Sequence, residues 1–134
     1  MKKNGTYRTW DADGHFIDAI TYKDGELDGS YTKWFEGGGV RFEHNYKNGK
    51  EDGLFKGWHE NGQSSYEVNY KDGEYDGLYR YWDVDGRLVE EENWKGGNRI
   101  MDLTEQQSNN RNNNIEALKT LGEALGYEVL IKEL

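Results

Sequence analysis

The sequence contains no cysteine and no proline among its 134 residues. The lack of cysteine excludes a disulfide scaffold, thiolate metal sites and a cysteine nucleophile. It is compatible with a cytoplasmic location, which we expect. No stretch approaches the ~18 apolar residues that a membrane-spanning helix requires. The first residues, Met1-Lys2-Lys3-Asn4, lead directly into an aromatic segment, so the sequence predicts no apolar signal region.

Aliphatic side chains are also scarce. Valine, isoleucine, leucine and phenylalanine make up about 18% of the chain, a proportion typical of disordered proteins. The sequence nevertheless has 10 tyrosines and 5 tryptophans, and aromatic residues, which bury large areas, are depleted in disordered chains. We therefore expect a folded protein whose apolar burial is mainly aromatic.

Positive charge is in short supply. The chain has 17 lysines and arginines against 26 aspartates and glutamates, which gives a formal net charge of -9. This excess of acid would repel phosphates and anionic lipids at long range. The composition therefore predicts no nucleic-acid ligand, disfavours a membrane surface and favours a basic protein partner.

The sequence does have a repeat of 24 residues, visible in six columns over four units. Four columns are Gly5, Gly29, Gly53 and Gly77; Tyr7, Tyr31, Phe55 and Tyr79; Trp10, Trp34, Trp58 and Trp82; and Gly14, Gly38, Gly62 and Gly86. The other two are Tyr22, Tyr46, Tyr70 and Trp94, and Gly25, Gly49, Gly73 and Gly97. Such self-similarity decides the fold, since each unit must repeat one local structure.

Each repeat contains two turn signals, which in the first repeat are Asp13-Gly14 and Asp24-Gly25. These dipeptides tolerate positive φ at both central positions of a type I′ turn. Each repeat is therefore predicted to be a β-hairpin. The predicted fold is mainly β, an elongated single-layer antiparallel meander of roughly eight strands and ~40 Å at ~4.8 Å per strand. Its repeats are 5–28, 29–52, 53–76 and 77–100.

Strand alternation divides the side chains between two faces. If Asp24-Gly25 is a two-residue loop, Tyr22 lies opposite Leu27 and Ile20 lies opposite Gly29. Face one then carries both tyrosine columns with the repeated glycine between them, and this glycine leaves room for a ring from the next strand. Face one is therefore predicted to be the packed face, which also holds Phe16, Phe42, Tyr66, Val68 and Leu88.

Face two is predicted to be the binding face. Alternation gives it acidic, amide and basic columns and, unless a bulge intervenes, the tryptophan column, and a charged surface with tryptophans is typical of binding sites. The alternative is that the tryptophans shield the hairpin turns while the charges pair across strands. The candidate partner-binding residues are Trp34, Trp58, Trp82, Glu43, Glu67, Glu91, Asn45, Asn69 and Asn93.

The repeat pattern ends after Gly97. Residues 101–114 are polar and of low complexity, which predicts a linker that could include a frayed helical turn. Residues 115–134 are predicted to form an amphipathic helix of about 11 residues and then a strand. Asn113 or Asn114 would cap this helix and Gly126 would end it. The tail would cap the open edge of the sheet or, alternatively, engage a partner.

The repeat resembles a known family. Gly-x-(Tyr/Phe)-x-x-Trp-x-x-x-Gly followed by Tyr-Lys-(Asp/Asn)-Gly-x-x-Asp-Gly is similar to the MORN-repeat variant of bacterial antitoxin-like proteins of the YwqK type. Residues 46–53 and 70–77 carry the motif best, and the resemblance covers roughly residues 5–97. The sequence departs from the family pattern at Gly37-Gly38-Gly39 and at Gly96-Gly97. The resemblance implies an elongated sheet of hairpins that serves as an interaction platform.

No motif predicts catalysis or metal binding. His15, His44 and His59 fall in different repeat columns without zinc-ligand spacing. The serines lack a nucleophile elbow, and the glycine-rich segments lie in hairpin turns rather than before a helix. Asp11-Ala12-Asp13-Gly14 is like the start of a calcium loop but has no glutamate at the twelfth position. We expect no enzyme activity, no cofactor and no metal.

Composition, the charged aromatic face and the resemblance together predict a non-enzymatic protein–protein interaction module. The specific hypothesis is an antitoxin or immunity-type protein that neutralises a basic, toxin-like partner. The alternative is a membrane- or lipid-associated scaffold, which the net charge disfavours. The two open edges of the sheet would also allow self-association.

Overall fold

The computed structural model describes residues 1–100 and 103–126. The chain divides into two compact units, Met1–Ile100 and Met101–Leu134. The first unit is a single antiparallel sheet in which consecutive strands are neighbours, which confirms the predicted mainly-β meander. Its strands are β1 Gly5–Trp10, β2 Phe16–Lys23, β3 Glu26–Trp34, β4 Val40–Lys47, β5 Lys50–Glu51, β6 Gly53–Trp58, β7 Ser64–Lys71, β8 Glu74–Trp82, β9 Leu88–Lys95 and β10 Asn98–Ile100.

The sheet has ten strand segments where roughly eight strands were predicted. Asp52 interrupts the first strand of the third hairpin and divides it into β5 and β6, both of which pair with β4. A short further strand, β10, follows Gly97 and pairs with β9. The sheet therefore has the predicted number of hairpins. The two strands beyond the predicted eight come from the interruption at Asp52 and from the short terminal strand β10.

The second turn of each repeat is the predicted type I′ turn. Asp24 has φ 51° and Gly25 has φ 85°, and Lys23 lies opposite Glu26 across a two-residue loop. Positive φ at both positions matches the right-handed twist of the flanking strands. The corresponding turns of the next two repeats have the same geometry at Asn48-Gly49 and Asp72-Gly73.

The first turn of each repeat differs from the predicted type I′ geometry. The backbone N–H of Asp11 donates to the carbonyl of His15 at 2.9 Å, which leaves a three-residue loop. Gly14 has φ 86°, whereas Asp13 is not in the left-handed region. A type I turn followed by a left-handed glycine is the usual solution for a loop of this length. The turn is where the sequence predicts it, but the loop has three residues instead of the two of a type I′ turn.

A bulge before each repeated glycine corrects the predicted register. Ile20 lies opposite Tyr31, not Gly29, because β3 has two more residues than β2 between these pairs. Gly29 has φ 112°, and a Cβ built there would lie 3.1 Å from the Thr21 side chain on face two. The prediction that this glycine makes room for a ring on face one is therefore wrong. The positive φ turns its missing side chain to the opposite face.

A second bulge lies in the strand that follows the tryptophan of each repeat. Trp10 lies opposite Phe16, and Thr9 lies opposite Asp18, which leaves Ile17 unpaired in β2. The extra residue is in the returning strand, so the tryptophans keep the alternation of their own strands and lie on face two. Phe16 and Leu88 pair with Trp10 and Trp82, and they therefore lie on face two rather than on the predicted face one.

Face one is the packed face, as predicted, and its burial is mainly aromatic. Phe55 and Val68 are the buried apolar residues of the described chain, each 6% exposed. The Phe55 ring lies 4.5 Å from the Tyr70 ring and 4.0 Å from the His44 ring. Rings from neighbouring strands continue these contacts toward both ends of the sheet. A chain poor in aliphatic residues thus builds its core from stacked and edge-to-face rings.

Neighbouring hairpins are joined by a hydrogen-bonded staple at the type I′ turns. The carboxylate of Asp28 accepts the backbone N–H of Asn48 at 3.1 Å, and the carbonyl of Leu27 accepts the N–H of Gly49 at 2.8 Å. Asn4, Asp52 and Asp76 make the equivalent side-chain bond in the other repeats. The staple satisfies both N–H groups of a turn that its own hairpin leaves free.

The second unit contains helix α1, Leu103–Leu125. It is 23 residues long and includes most of the segment predicted to be a linker. Residues 103–121 contain neither glycine nor proline, so nothing in the polar stretch stops a helix that the later leucines favour. Asn113 and Asn114 consequently lie inside the helix and do not cap it. Gly126, with φ 73°, follows the last helical residue as predicted, and the predicted strand at 127–134 lies outside the described residues.

The staple predicts a graded loss of stability at position 28. Asp28→Ala removes the acceptor of the Asn48 N–H and should lower the free energy of unfolding by about 1 kcal/mol. Asp28→Asn should lose less, because Asn4 already performs this role with an amide oxygen. Thermal or urea unfolding of the two variants checks the expectation. Equal stability of Asp28→Ala and the parent protein would contradict it.

Gly57 is the glycine that makes room for a ring on face one. A Cβ at this position would overlap the ring of Tyr66, although the backbone φ of Gly57 is ordinary. Gly57→Ala should therefore cost ~1–3 kcal/mol through overpacking. Gly39→Ala is the matched control, since Gly39 also has an ordinary φ and no atom within 4 Å of its Cβ position. Urea unfolding that ranks both variants equally would refute this assignment.

Candidate functional site

The predicted acidic column of face two lies within a ladder of alternating charges. Lys56 Nζ lies 3.3 Å from the Glu67 carboxylate, and Arg80 Nε lies 2.6 Å from the Glu91 carboxylate. Glu43 is opposite Lys56 in the register, and no described cationic side chain is within ion-pair distance of its carboxylate. Two of the three predicted glutamates therefore form ion pairs within the sheet, whereas Glu43 does not.

The predicted asparagines have structural bonds. Asn45 donates through Nδ2 to the carbonyl of Leu54 at 2.7 Å, and Asn69 donates to the carbonyl of Leu78 at 3.0 Å. Both bonds lie beside the bulge at the repeated glycine, where the strand ladder is interrupted and a carbonyl would lack a partner. Asn93 is opposite Leu78 and is exposed. Asn45 and Asn69 are thus engaged within the sheet rather than free for a ligand.

An apolar row crosses face two beside this ladder. We call it the tryptophan row. The ring of Phe16 lies between those of Trp10 and Trp34, at centroid distances of 5.7 and 5.2 Å. Trp10 is 53% exposed and Leu88 is 50% exposed, whereas the three predicted tryptophans are half-buried. The row consists of Trp10, Phe16, Trp34, Trp58, Trp82 and Leu88.

Face one carries a groove that the sequence interpretation missed. Its volume is about 420 Å³, and its lining includes the carboxylate residue Glu51 and an imidazole, His44. We call it the tyrosine groove. The tyrosines that line it are Tyr46, Tyr66, Tyr70, Tyr75, Tyr79 and Tyr81. A signal for it existed in the sequence, since most tyrosines of the chain fall in the middle and last repeats.

A second recess adjoins the tyrosine groove through His44 and Tyr66, which line both. Its volume is about 440 Å³. Arg41, the unpaired residue of a bulge in β4, lies at this recess with its guanidinium 5.8 Å from the Phe35 ring centroid. Trp58 of the tryptophan row and the acid Glu60 also line this recess, so it is not confined to face one.

His44 is held as a neutral ring in the centre of face one. It is stacked between Phe42 and Phe55 at centroid distances of 4.2 and 4.0 Å, and its Nε2 lies 2.7 Å from the Tyr66 hydroxyl. Burial lowers the pKa of His44 from 6.5 to about 4, although the nearby Glu51 acts in the opposite direction. The site therefore presents an aromatic, uncharged imidazole at neutral pH.

Burial also raises the pKa of four of the groove tyrosines, Tyr46, Tyr66, Tyr70 and Tyr79. Burial raises the pKa of Tyr46, and Glu51 adds to the increase. Burial and a hydrogen bond with Tyr75 raise the pKa of Tyr70 above its ordinary value. Neutral phenols can donate and accept hydrogen bonds and offer π faces to a cation. Glu51 is the one carboxylate residue among the described lining residues of the groove.

One group of possible metal ligands occurs among the described residues, at Asp11, Asp13 and His15. The Asp11 carboxylate accepts the backbone N–H groups of Asp13 and His15 at 2.9 Å each. The His15 N–H bond is the main cause that lowers the pKa of Asp11. Asp83 makes the same two backbone contacts in the fourth repeat without a histidine beside it. The cluster is thus explained as the closure of a hairpin loop.

Two segments of the sheet match a known repeat family. Residues 27–48 and 51–72 each match the model of the MORN repeat variant. This central part of the sheet is therefore similar to MORN repeats. The matched segments correspond to the β3–β4 hairpin and to the segment from β5 to β7, which are the parts that build the centre of face one. MORN repeats generally serve as interaction modules for proteins or lipids.

No curated protein matches the chain, so the resemblance to YwqK-type antitoxins stays a prediction. Within the part of the chain that the structure describes, no helix is long and apolar enough to cross a membrane.

His44 predicts a pH dependence of stability. Its folded pKa is below its unfolded value, so the unfolded chain binds more protons between about pH 6.5 and pH 4. The stabilisation is complete above pH 6.5 and decreases as the pH falls through this range. After a discount for partial exposure, the loss between pH 7 and pH 5 should be about 1 kcal/mol. For His44→Phe, the free energy of unfolding measured with urea should differ less between pH 7 and pH 5 than it does for the parent protein. An unchanged difference would contradict the assignment.

Proposed function

We propose that the chain is a non-enzymatic protein-binding module whose tryptophan row contacts a basic partner protein. The observation that carries this proposal is the tryptophan row, in which Trp10, Phe16 and Trp34 form a contiguous aromatic surface next to a ladder of paired charges on face two. Contiguous apolar patches with polar borders are typical of interaction sites, and tryptophan is enriched among residues that dominate binding energy. The net charge of -9 favours a basic partner.

The more specific form of the proposal is an antitoxin or immunity-type protein of the bacterial cytoplasm. It is supported by the resemblance of the repeats to YwqK-type proteins and by the acidity of the chain. A protein of this kind would neutralise its partner by covering a basic surface. The protein encoded by the adjacent gene is the natural candidate, since such pairs must be made together.

Two substitutions test which forces act at face two. Trp58→Ala should raise the dissociation rate of the complex with the adjacent gene product about 30-fold, which corresponds to ~2 kcal/mol for a buried aromatic anchor. Glu43→Lys should slow association, and this effect should shrink at high salt because screening shortens to a few Å. Association and dissociation rates can be measured with immobilised partner at two ionic strengths. Glu67 and Glu91 are unsuitable, because their replacement also removes an ion pair of the sheet.

Val84→Ala is the control, since Val84 is an exposed side chain, 55% accessible, in a hairpin loop. All variants should first show the circular dichroism and melting profile of a folded protein. Unchanged rates for folded Trp58→Ala would exclude the tryptophan row as the binding surface. Binding to anionic vesicles without binding to the protein partner would instead favour a lipid scaffold. Rescue of growth in co-expression tests the antitoxin role directly.

A further inference from the structure

The tyrosine groove on face one is an aromatic surface with a single negative charge. Six tyrosines line it, its imidazole is neutral, and Glu51 supplies the carboxylate. Glu51 is half-buried, and no cationic side chain of the described residues lies within ion-pair distance of it. Within the sheet this carboxylate has no counter-ion, so its charge is available to a cation from outside. Burial raises the pKa of Tyr79 at one end of the groove, and the nearby Glu90 adds to the increase.

Glu51 is exceptional within its own repeat column. The equivalent positions hold Lys3, Leu27, Tyr75 and Arg99, so Glu51 is the one acid of the column. Leu27 and Tyr75 lie opposite Tyr22 and Tyr70 in the sheet, as Glu51 lies opposite Tyr46. Two repeats therefore place an uncharged side chain at this point of face one. An acid at position 51 is therefore not required by the hairpin.

The first repeat shows what such a ring surface can hold. Lys3 Nζ lies 5.1 Å from the Tyr7 ring centroid and 5.0 Å from the Tyr22 ring centroid. Both distances are within the range of a cation–π interaction. The corresponding rings of the third repeat are Phe55 and Tyr70, and the residue that corresponds to Lys3 is Glu51. The same arrangement of rings thus holds Lys3 at the first strand of the sheet, whereas in the middle of the sheet the equivalent residue is the acid Glu51.

We propose that the tyrosine groove receives a lysine or arginine side chain of a partner protein, with the Glu51 carboxylate as its counter-ion. The cation lies against the rings of Tyr46, Tyr70 and Tyr75, as Lys3 lies against the rings of the first repeat. This inference rests on the proposed function for the existence of a basic partner, but it assigns a contact on the opposite face of the sheet. The tryptophan row and the tyrosine groove would then meet different parts of the partner.

The test uses short peptides and the full chain. A peptide of alternating glycine and arginine, and a matched peptide with glutamate in place of arginine, are titrated into isotopically labelled protein. The arginine peptide should shift the amide resonances of residues 44–51 and 70–75 in NMR spectra, whereas the glutamate peptide should not. Glu51→Gln should lower the affinity for the arginine peptide at least tenfold. Glu74→Gln, which removes an exposed acid at a neighbouring turn, should leave its affinity unchanged.

Three outcomes would overturn the proposal. These are no binding of the arginine peptide, equal weakening by Glu51→Gln and Glu74→Gln, and resonance shifts confined to face two. A partner that binds Glu51→Gln normally but loses affinity for Trp58→Ala would leave the proposed function intact and exclude the groove. Loss of affinity for Glu51→Gln alone would support the groove and exclude the tryptophan row. The two proposals can therefore fail separately.

Discussion

The hydrogen bonds between successive type I′ turns are the constraint on which the stacking of the hairpins depends. A two-residue turn leaves N–H groups pointing along the sheet, and each such pair finds its acceptors in the preceding repeat. The aspartate before the repeated glycine and the carbonyl before that aspartate supply them. Since a positive-φ glycine directly follows the aspartate, the bulge and the staple are two parts of one device.

This device explains much of the sequence. It accounts for the Asp-Gly pair at the start of each later repeat, for the Asp-Gly or Asn-Gly pair of the next turn, and for their separation of 20 residues. The Gly96 N–H, bonded to Asp76, is the largest of the causes that lower the pKa of that carboxyl. The fourth repeat thus keeps the staple although its turn is Gly96-Gly97.

The fold could be predicted from the sequence because period and turn chemistry act locally. The hairpins, the two-residue turns and the aromatic packing of face one follow from residues within 24 positions of one another. The placement of Phe16 and of the repeated glycines could not be predicted, because each bulge adds residues to one strand only. Alternation is exact within a strand but is lost across a bulge. The length of α1 was underestimated because polarity was given more weight than the absence of helix breakers.

The candidate site was harder to predict than the fold. Columns of glutamate and asparagine were visible, but sequence spacing does not show that Glu67 faces Lys56 at ion-pair distance or that Asn45 closes a bulge. The tyrosine groove could not be predicted, because alternation places the tyrosines on the packed face and does not show how far their rings remain exposed. Phe55 and Val68 are the only buried apolar residues of the sheet, each 6% exposed. The other rings pack against their neighbours and are still partly accessible at the surface.

The separation of staple and faces has a consequence for how such a chain can change. The atoms that join one hairpin to the next lie at the turns, whereas the columns of each face project from the strands between them. The side chain at position 51 and its equivalents can therefore differ between repeats, as those of Leu27, Glu51 and Tyr75 do, because the joint uses only the backbone carbonyl of the residue. Duplication of one 24-residue unit would lengthen the sheet by one hairpin. Point mutations in the face columns of the new hairpin would leave its joints to the neighbouring hairpins intact.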